Sequence, residues 1–372
     1  MSERQETNPI AVLGIGTAVP PYRLEQEDAS NRLAEALGHS EAARWAKRIF
    51  KHSAVETRYT VEPNLLEPAS RCRYIPGADR ADIPPTADRM RMYRTEAVPL
   101  ALEAARRALA ASGVAAKRIT HVIAVSCTGQ FLPGLDTELV HRLELAPDTT
   151  RLPLTFVGCA AGLAAIRIAS GMAERQPNAQ VLVVCVELCT LHIQPSGERE
   201  ELLGAALFGD GASACVVGRA GGSRIAGGFA IGRSRSVLFP EGDRDMVWTV
   251  GNEGFNLYLS PQIPELLAKY VPAEIERFLD GEPLPEGWAI HPGGRAIVDT
   301  LQSLYELSEA QTQASRKVLR QYGNMSSVTI LFVLQELLQQ WRAQQEQKRA
   351  IAIAFGPGLS VELVELTYWP AQ

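Results

Sequence analysis

The chain carries the same succession of segments twice, and this repetition constrains its fold more than any other feature. In the first half, ITHVIAVSCTG (Ile119 to Gly129) reads as a buried strand running into a polar turn. LTFVGCAAGLAAIRIAS (Leu154 to Ser170) reads as a short strand, a tight turn and an Ala-rich helix. QVLVVCVEL (Gln180 to Leu188) and SACVVGRA (Ser213 to Ala220) read as buried strands. In the second half the order returns. GWAIHPGG (Gly287 to Gly294) is a strand into a Gly-rich turn, and YGNMSSVTILFVLQELL (Tyr322 to Leu338) is a turn and an apolar helix. RAIAIAFGPGL (Arg349 to Leu359) and VELVELTYW (Val361 to Trp369) are strands. A duplication of this kind predicts an α/β protein whose pseudo-symmetric halves pack as sheets with helices between them. RAGGSRIAGG (Arg219 to Gly228), rich in Gly, marks the seam and sets halves of 1–222 and 223–372. Ahead of the first repeat, EDASNRLAEALG, SEAARWAKRIF and Thr95 to Gly113 are helical, and Glu62 to Pro85 is irregular.

Composition narrows the function. At 372 residues the chain is too long for one ordinary domain and suits an α/β unit built twice. Lys plus Arg (37) against Asp plus Glu (42) gives −5, so no global charge favours nucleic acid or an anionic membrane. No apolar run is long enough to span a bilayer, and MSERQETNPI has no apolar signal core. The six cysteines are Cys72, Cys127, Cys159, Cys185, Cys189 and Cys215. Most sit in apolar segments, which suits buried thiols in a reducing cytoplasm.

Three residues invite chemistry. Cys159, in VGCAAGL, lies between a strand and a helix start, where unsatisfied N–H groups favour a thiolate; the alternative is a buried structural cysteine. His291 stands at a strand end before Pro-Gly-Gly, presented on a turn that admits a ligand; the alternative is a histidine satisfied by backbone. Asn324, in YGNMSS, opens the apolar helix as a cap or as an amide donor to an oxyanion. Cys159 and Asn324 hold equivalent turn-helix positions, and His291 holds the strand-turn position of the second half. Pseudo-symmetric packing would bring all three to one cavity, an arrangement suited to thioester transfer and to stabilising the enolate of a decarboxylating malonyl unit. Cys185, Cys189 and His192 have the look of metal ligands, but no second cluster follows, and no metal is expected. Arg44, Lys47, Arg48 and Lys51 form a basic helix edge, either a solvated face or a site for nucleotide phosphates.

The ordered set GCAAG, ALFGDG, HPGG, GNMSS and GPG resembles the type III polyketide synthases, the chalcone and stilbene synthase family of the thiolase-like superfamily, over about Ile10 to Thr367. The resemblance implies a homodimer with the thiolase-like αβαβα double fold and a cavity reached by a CoA tunnel. It implies Cys159 as acyl-carrying nucleophile, with His291 and Asn324 assisting loading, malonyl decarboxylation and condensation. Phe208 would be a gate, and Arg48 and Ala296 would meet CoA. Trp45 and His52 stand where the family carries lysines. Leu132 would reach into the partner subunit's cavity, and Thr128, Ser326, Gly356 and Pro357 would line the pocket.

Against the plant chalcone pattern, Cys127, Cys189 and His192 replace threonines, Trp248 replaces a glycine, and Leu257 replaces the second gate phenylalanine. These changes resemble bacterial members. They imply an aliphatic acyl-CoA starter, malonyl-CoA as extender, no cofactor beyond these CoA thioesters, and an alkylpyrone or alkylresorcinol product. The rivals are a single-step ketoacyl synthase, a malonyl-primed tetrahydroxynaphthalene-type synthase, and a non-catalytic acyl-binding protein.

Overall fold

The computed structural model describes residues 8–75, 77, 82–220, 227–343 and 345–370. The first half holds β1 (Ile10–Ala18), β2 (Tyr22–Glu25), α1 (Gln26–Leu37), α2 (Glu41–His52), β3 (Thr57–Thr60), α3 (Thr86–Ser112), β4 (His121–Ser126), α4 (Leu135–Arg142), β5 (Thr150–Thr155), α5 (Ala161–Arg175), β6 (Gln180–Leu188), α6 (Arg199–Leu207) and β7 (Asp210–Arg219). The second holds β8 (Gly228–Leu238), β9 (Met246–Gly251), β10 (Gly254–Leu259), α7 (Ile263–Leu279), β11 (Gly287–Ile290), α8 (Arg295–Leu304), α9 (Glu309–Tyr322), α10 (Thr329–Trp341), β12 (Lys348–Gly356) and β13 (Ser360–Trp369). Most of the expected seam, residues 221–226 with the 222/223 boundary, lies outside the described residues.

Strands covered on both faces read as unbroken apolar runs, and the runs seen in the sequence occupy such places. β4 and β6 pair in parallel, then β7 and β1 follow antiparallel. The second half repeats this, with β11 and β12 parallel and β13 and β8 antiparallel. The halves join through β1 and β8 at Ala11–Ala230 and Val12–Phe229, giving one nine-stranded sheet. β5 extends the first half only; among the described residues β11 is the edge strand of the second half, and an isolated parallel bridge joins Phe208 to Asn324.

The helices follow the same logic. α10 (TILFVLQELLQQW) is apolar through its first six residues and buried there on every side, while Gln335, Glu336, Gln339 and Gln340 mark the partly open side of its second half. It lies beside Ala-rich α5 in the core between the two half-sheets. Each fully buried Leu or Ile in this layer contributes about 1.5–3 kcal/mol. α3 covers the outer face of the first half-sheet, and α7 and α8 cover that of the second. The helices between the half-sheets are those expected from the duplication, and the five layers are those the family resemblance implies, with the two half-sheets continuous through β1 and β8. The carboxyl ends of β4, β5, β11 and β12, with the starts of α5 and α10, meet in the middle, the usual place for a site in α/β proteins.

Candidate active site

Cys159 sits in the short helical turn Gly158–Ala160 that leads into α5. Gly158 has φ +77°, and a Cβ there would lie 2.2 Å from Pro357 Cδ, so only glycine lets the GPG loop after β12 close onto the cysteine turn. Phe156 and Ser326 also hold positive φ, at 55° and 48°, a strain of about 1–3 kcal/mol each for non-glycine residues. Both face the same cavity, of about 570 Å³. Cys127, Cys159, His291, Asn324 and Ser326 form its inner end. Phe208, Trp248, Leu257, Leu203, Leu259 and Ile263 give it apolar walls, and the exposed His52, Arg199, Arg295 and Ala296 form its mouth.

Asn324 is clamped. Its Oδ1 accepts from the Ser326 N–H at 2.8 Å and its Nδ2 donates to the Gly293 carbonyl at 3.1 Å. The Ser326 hydroxyl and the Asn324 amide lie near the Cys159 sulfur and favour its thiolate. Burial nevertheless wins and pushes the thiol up to about 11. This runs against the expectation that the helix start favours a thiolate here. A base would have to take the thiol proton, and His291, on the wall of the same cavity, is the candidate. It is 1% exposed, neither ring nitrogen has a partner among the described residues, and burial lowers it to about 3, so the imidazole is neutral at rest and would hold the thiol's proton only as an ion pair beside the thiolate. Removing it should leave the thiol where burial holds it. In His291→Ala, alkylation of Cys159 by iodoacetamide should fall roughly 10²-fold at pH 7, the low end for a lost general base, and climb only as pH approaches the thiol's own value. Equal rates with and without the imidazole would remove His291 from this role.

The remaining expected residues divide. Cys127, Ser326, Phe208, Leu257, Trp248, Pro357 and Ala296 line the cavity. Thr128, Cys189, His192 and Gly356 stand behind its wall and not on it. Thr128 donates to Glu187 at 2.7 Å. Cys189 is packed with Val55 and Leu207. His192 has one ring nitrogen on the Thr128 carbonyl at 2.7 Å and the other accepting the Phe255 N–H at 3.1 Å, so it is a strut and has no free ligand atom. Leu132 is 90% exposed on the outer surface. Arg48 lies on α2 outside the cavity lining, its guanidinium 5.9 Å over Trp45, with Arg199 at 4.9 Å from the same ring.

Glu187 escaped the sequence reading. It is wholly buried behind Cys127 and gathers the Cys127 N–H at 3.0 Å and the Thr128 and Ser327 hydroxyls. Burial raises its carboxyl, and those donors oppose the rise. A lone acid in the apolar run QVLVVCVEL was the available signal, since an unpaired charge is not buried without cause.

Residues 1–221 match the description "Chalcone and stilbene synthases, N-terminal domain" and residues 231–368 match the corresponding C-terminal domain. The chain belongs to the chalcone and stilbene synthase family. It is 33% identical over 362 residues to "Type III polyketide synthase 21" of Oryza sativa subsp. japonica, covering 94% of this chain and 92% of that one. It is 31% identical over 360 residues to "Alpha-pyrone synthesis polyketide synthase-like Pks18" of Mycobacterium tuberculosis, covering 95% and 90%. "Probable polyketide synthase 1" of Dictyostelium discoideum is 28% identical across 94% of this chain, which spans only 11% of that much longer protein. Among solved structures, PKS-I of the brown alga Ectocarpus siliculosus superposes with TM-score 0.89 at 29% identity, covering 99% of this chain and 100% of that one. The C-terminal type III domain of the Dictyostelium type I/III hybrid Steely1 gives TM-score 0.86 at 27% identity, covering 97% and 99%. This type III polyketide synthase is therefore a malonyl-CoA-dependent acyltransferase with the thiolase-like fold. Among its described residues, no helix is long and apolar enough to cross a membrane.

Proposed function

We propose that this synthase loads an aliphatic acyl-CoA starter on Cys159, extends it with malonyl-CoA, and closes it to an alkylpyrone or alkylresorcinol-type product. The observation that carries the reading is the convergence, in one apolar-walled cavity, of Cys159, the clamped Asn324 amide and the unpartnered His291. In loading, His291 takes the thiol proton as Cys159 Sγ attacks the thioester carbonyl. Asn324 Nδ2 donates to the oxyanion, and the CoA thiolate leaves with the proton. Malonyl-CoA then loses carbon dioxide, and Asn324 Nδ2 together with the N–H of the neutral His291 ring holds the enolate oxygen. The enolate carbon attacks the Cys159 thioester, the C–S bond breaks, and a β-ketoacyl-CoA two carbons longer is released for the next cycle. Attack of an enol oxygen on the thioester carbonyl, with the C–S bond breaking and the thiol leaving with the enol's proton, gives a pyrone. No cofactor beyond the CoA thioesters is called for.

The aliphatic starter is supported by the distribution of space. On the side of Cys127 and Cys189 the interior is filled: His192 stacks on Phe255 at 4.1 Å, and Trp248 meets Phe208 edge-on at 6.0 Å. Open apolar wall lies toward Leu203, Leu259, Met246, Ile263 and Pro264, which suits an alkyl chain. The pyrone arm is supported by the mycobacterial relative, which is named for alpha-pyrone synthesis. The homodimer belongs to the same reading: exposed Leu132 and the 45% exposed Phe156 leave apolar surface for a second copy.

A starter panel from acetyl-CoA to long-chain acyl-CoA, with malonyl-CoA and products identified by mass, tests the reading. Alkylpyrones or alkylresorcinols from long starters support it. A single condensation, or product from malonyl-CoA alone, replaces it with the ketoacyl synthase or the malonyl-primed synthase. Within that panel Trp248→Gly should move products toward longer chains or another ring, because an indole can bury on the order of 200 Å². Trp248 is half-buried on the β9–β10 hairpin, so the fold should survive; the full cost of emptying such a site in a closed core is roughly 3–5 kcal/mol. A folded variant with an unchanged product spectrum makes Trp248 an ordinary wall.

A further inference from the structure

The last carbonyls of a helix have no partner inside it and must find donors elsewhere. At the end of α6 they are taken by three separate parts of the chain. Gln26 Nε2 donates to the Ala206 carbonyl at 2.8 Å, the Asn324 N–H to that of Leu207 at 2.8 Å, and Arg58 Nη1 to that of the capping Phe208 at 2.7 Å. Gly209 N–H then donates to the Asn324 carbonyl at 3.1 Å, completing the parallel bridge between Phe208 and Asn324. Gate and amide thus share one piece of backbone.

Arg58, on β3, holds that piece at two points. Its fork takes the Phe208 carbonyl. Its stem runs under the turn before Asn324, where a Cβ on Gly323 would stand 2.9 Å from Arg58 Cγ and 3.0 Å from Cδ. The side chain is only 1% exposed, and among the described residues it makes no direct ion pair and its Nε has no partner, so the Phe208 carbonyl is its one hydrogen bond. The opposite charge acting on it at longer range is Asp210, wholly buried and fixed by the Val61 N–H at 2.9 Å, the Thr190 N–H at 2.8 Å and the Thr190 hydroxyl at 2.7 Å. A cation at this spot also meets the negative end of α6. Arg58 itself does not line the cavity, so it meets no substrate.

We propose that Arg58 is the positioning residue of this site: by fixing the Phe208–Asn324 bridge it sets both where the gate ring stands and where the Asn324 amide points. One buried cation then couples which acyl chains pass to how well the enolate is held. The inference rests on the reading of Cys159, His291 and Asn324 given above.

The test uses the full-length protein and three variants, Arg58→Lys, Arg58→Met and the double variant Arg58→Met with Asp210→Asn. Rates are taken per Cys159 that titrates with iodoacetamide, so unfolded protein is not counted. The reactions are carbon dioxide release from malonyl-CoA and the starter panel. Arg58→Met and the double variant should lose about 10²-fold in kcat, the cost of a reacting group misplaced by about 1 Å, with KM for malonyl-CoA little changed. Their starter preference should shift. Arg58→Lys keeps the charge and one donor but not the fork, and should fall between. If the Met variants do not fold, Arg58→Lys decides alone. Variants with wild-type kcat per site and an unchanged starter profile would reduce Arg58 to a structural residue. A wild type that releases no carbon dioxide would instead overturn the functional reading itself.

Discussion

Cys159→Ala should yield a folded protein that forms no acyl-enzyme and no polyketide. The turn it occupies is already built of Gly158, Ala160 and Ala161, so alanine fits without strain, and the melting temperature should hold. What is lost is the only atom there that can carry a thioester, and product should fall to background. Carbon dioxide release from malonyl-CoA should survive in part, because Asn324 and His291 are untouched. Intact mass after incubation with acyl-CoA reads the loading, and product analysis reads the turnover. In the wild type, iodoacetamide should mark Cys159 first. Among the six cysteines it alone is not buried, whereas Cys127 lies buried in the same cavity with its thiol pushed well up by burial and Glu187. An alanine variant that still makes product, with label on Cys127, would move the nucleophile to Cys127.

The repeated part of the fold was legible because parallel strands covered on both faces announce themselves as apolar runs. β1 and β8, which open each half, were not read. β1 is diluted by glycine: a Cβ on Gly16 would stand 2.3 Å from the Ala104 carbonyl oxygen of α3, so close helix packing excludes a β-branched side chain there. β8 is apolar at Gly228–Ala230 and then alternates with polar residues (IGRSRSVL), a signal the Gly-rich seam before it obscures. The β9–β10 hairpin that carries Trp248 and Leu257 also went unread, although its residues were placed by resemblance.

The inner end of the site was legible through symmetry. Two turn-helix junctions and one strand-turn, each ambiguous alone, must converge if the halves pack face to face. The wall was less legible, since motif correspondence gives a residue's place on the chain and not which way it faces. His192 and Cys189 were expected on the pocket, yet the tautomer of His192 is fixed by the Thr128 carbonyl and Phe255 N–H, and Cys189 packs behind Phe208. The ionisation of Cys159 was misjudged for a related reason: a helix start supplies a local field, but desolvation depends on everything packed around the sulfur.

Asn324 separates a cap from an oxyanion donor. Its Oδ1 accepts the Ser326 N–H at the start of the turn into α10, which is capping, while its Nδ2 faces Gly293 and the Cys159 sulfur. Asn324→Ala removes both roles. Asn324→Asp keeps the acceptor for Ser326 and replaces the donor with a carboxylate, which would repel an enolate. If the donor matters, both variants should lose about 10²- to 10³-fold in malonyl-CoA decarboxylation, the usual cost of one missing oxyanion donor, with Asp at least as impaired as Ala. Thermal stability should order the other way, because the lost cap costs Ala about 1 kcal/mol that Asp retains. Acyl transfer to Cys159 should suffer less than decarboxylation, since His291 still accepts the thiol proton. Activity that follows stability, with Asp close to wild type, would make Asn324 a cap and leave His291 to hold the enolate alone.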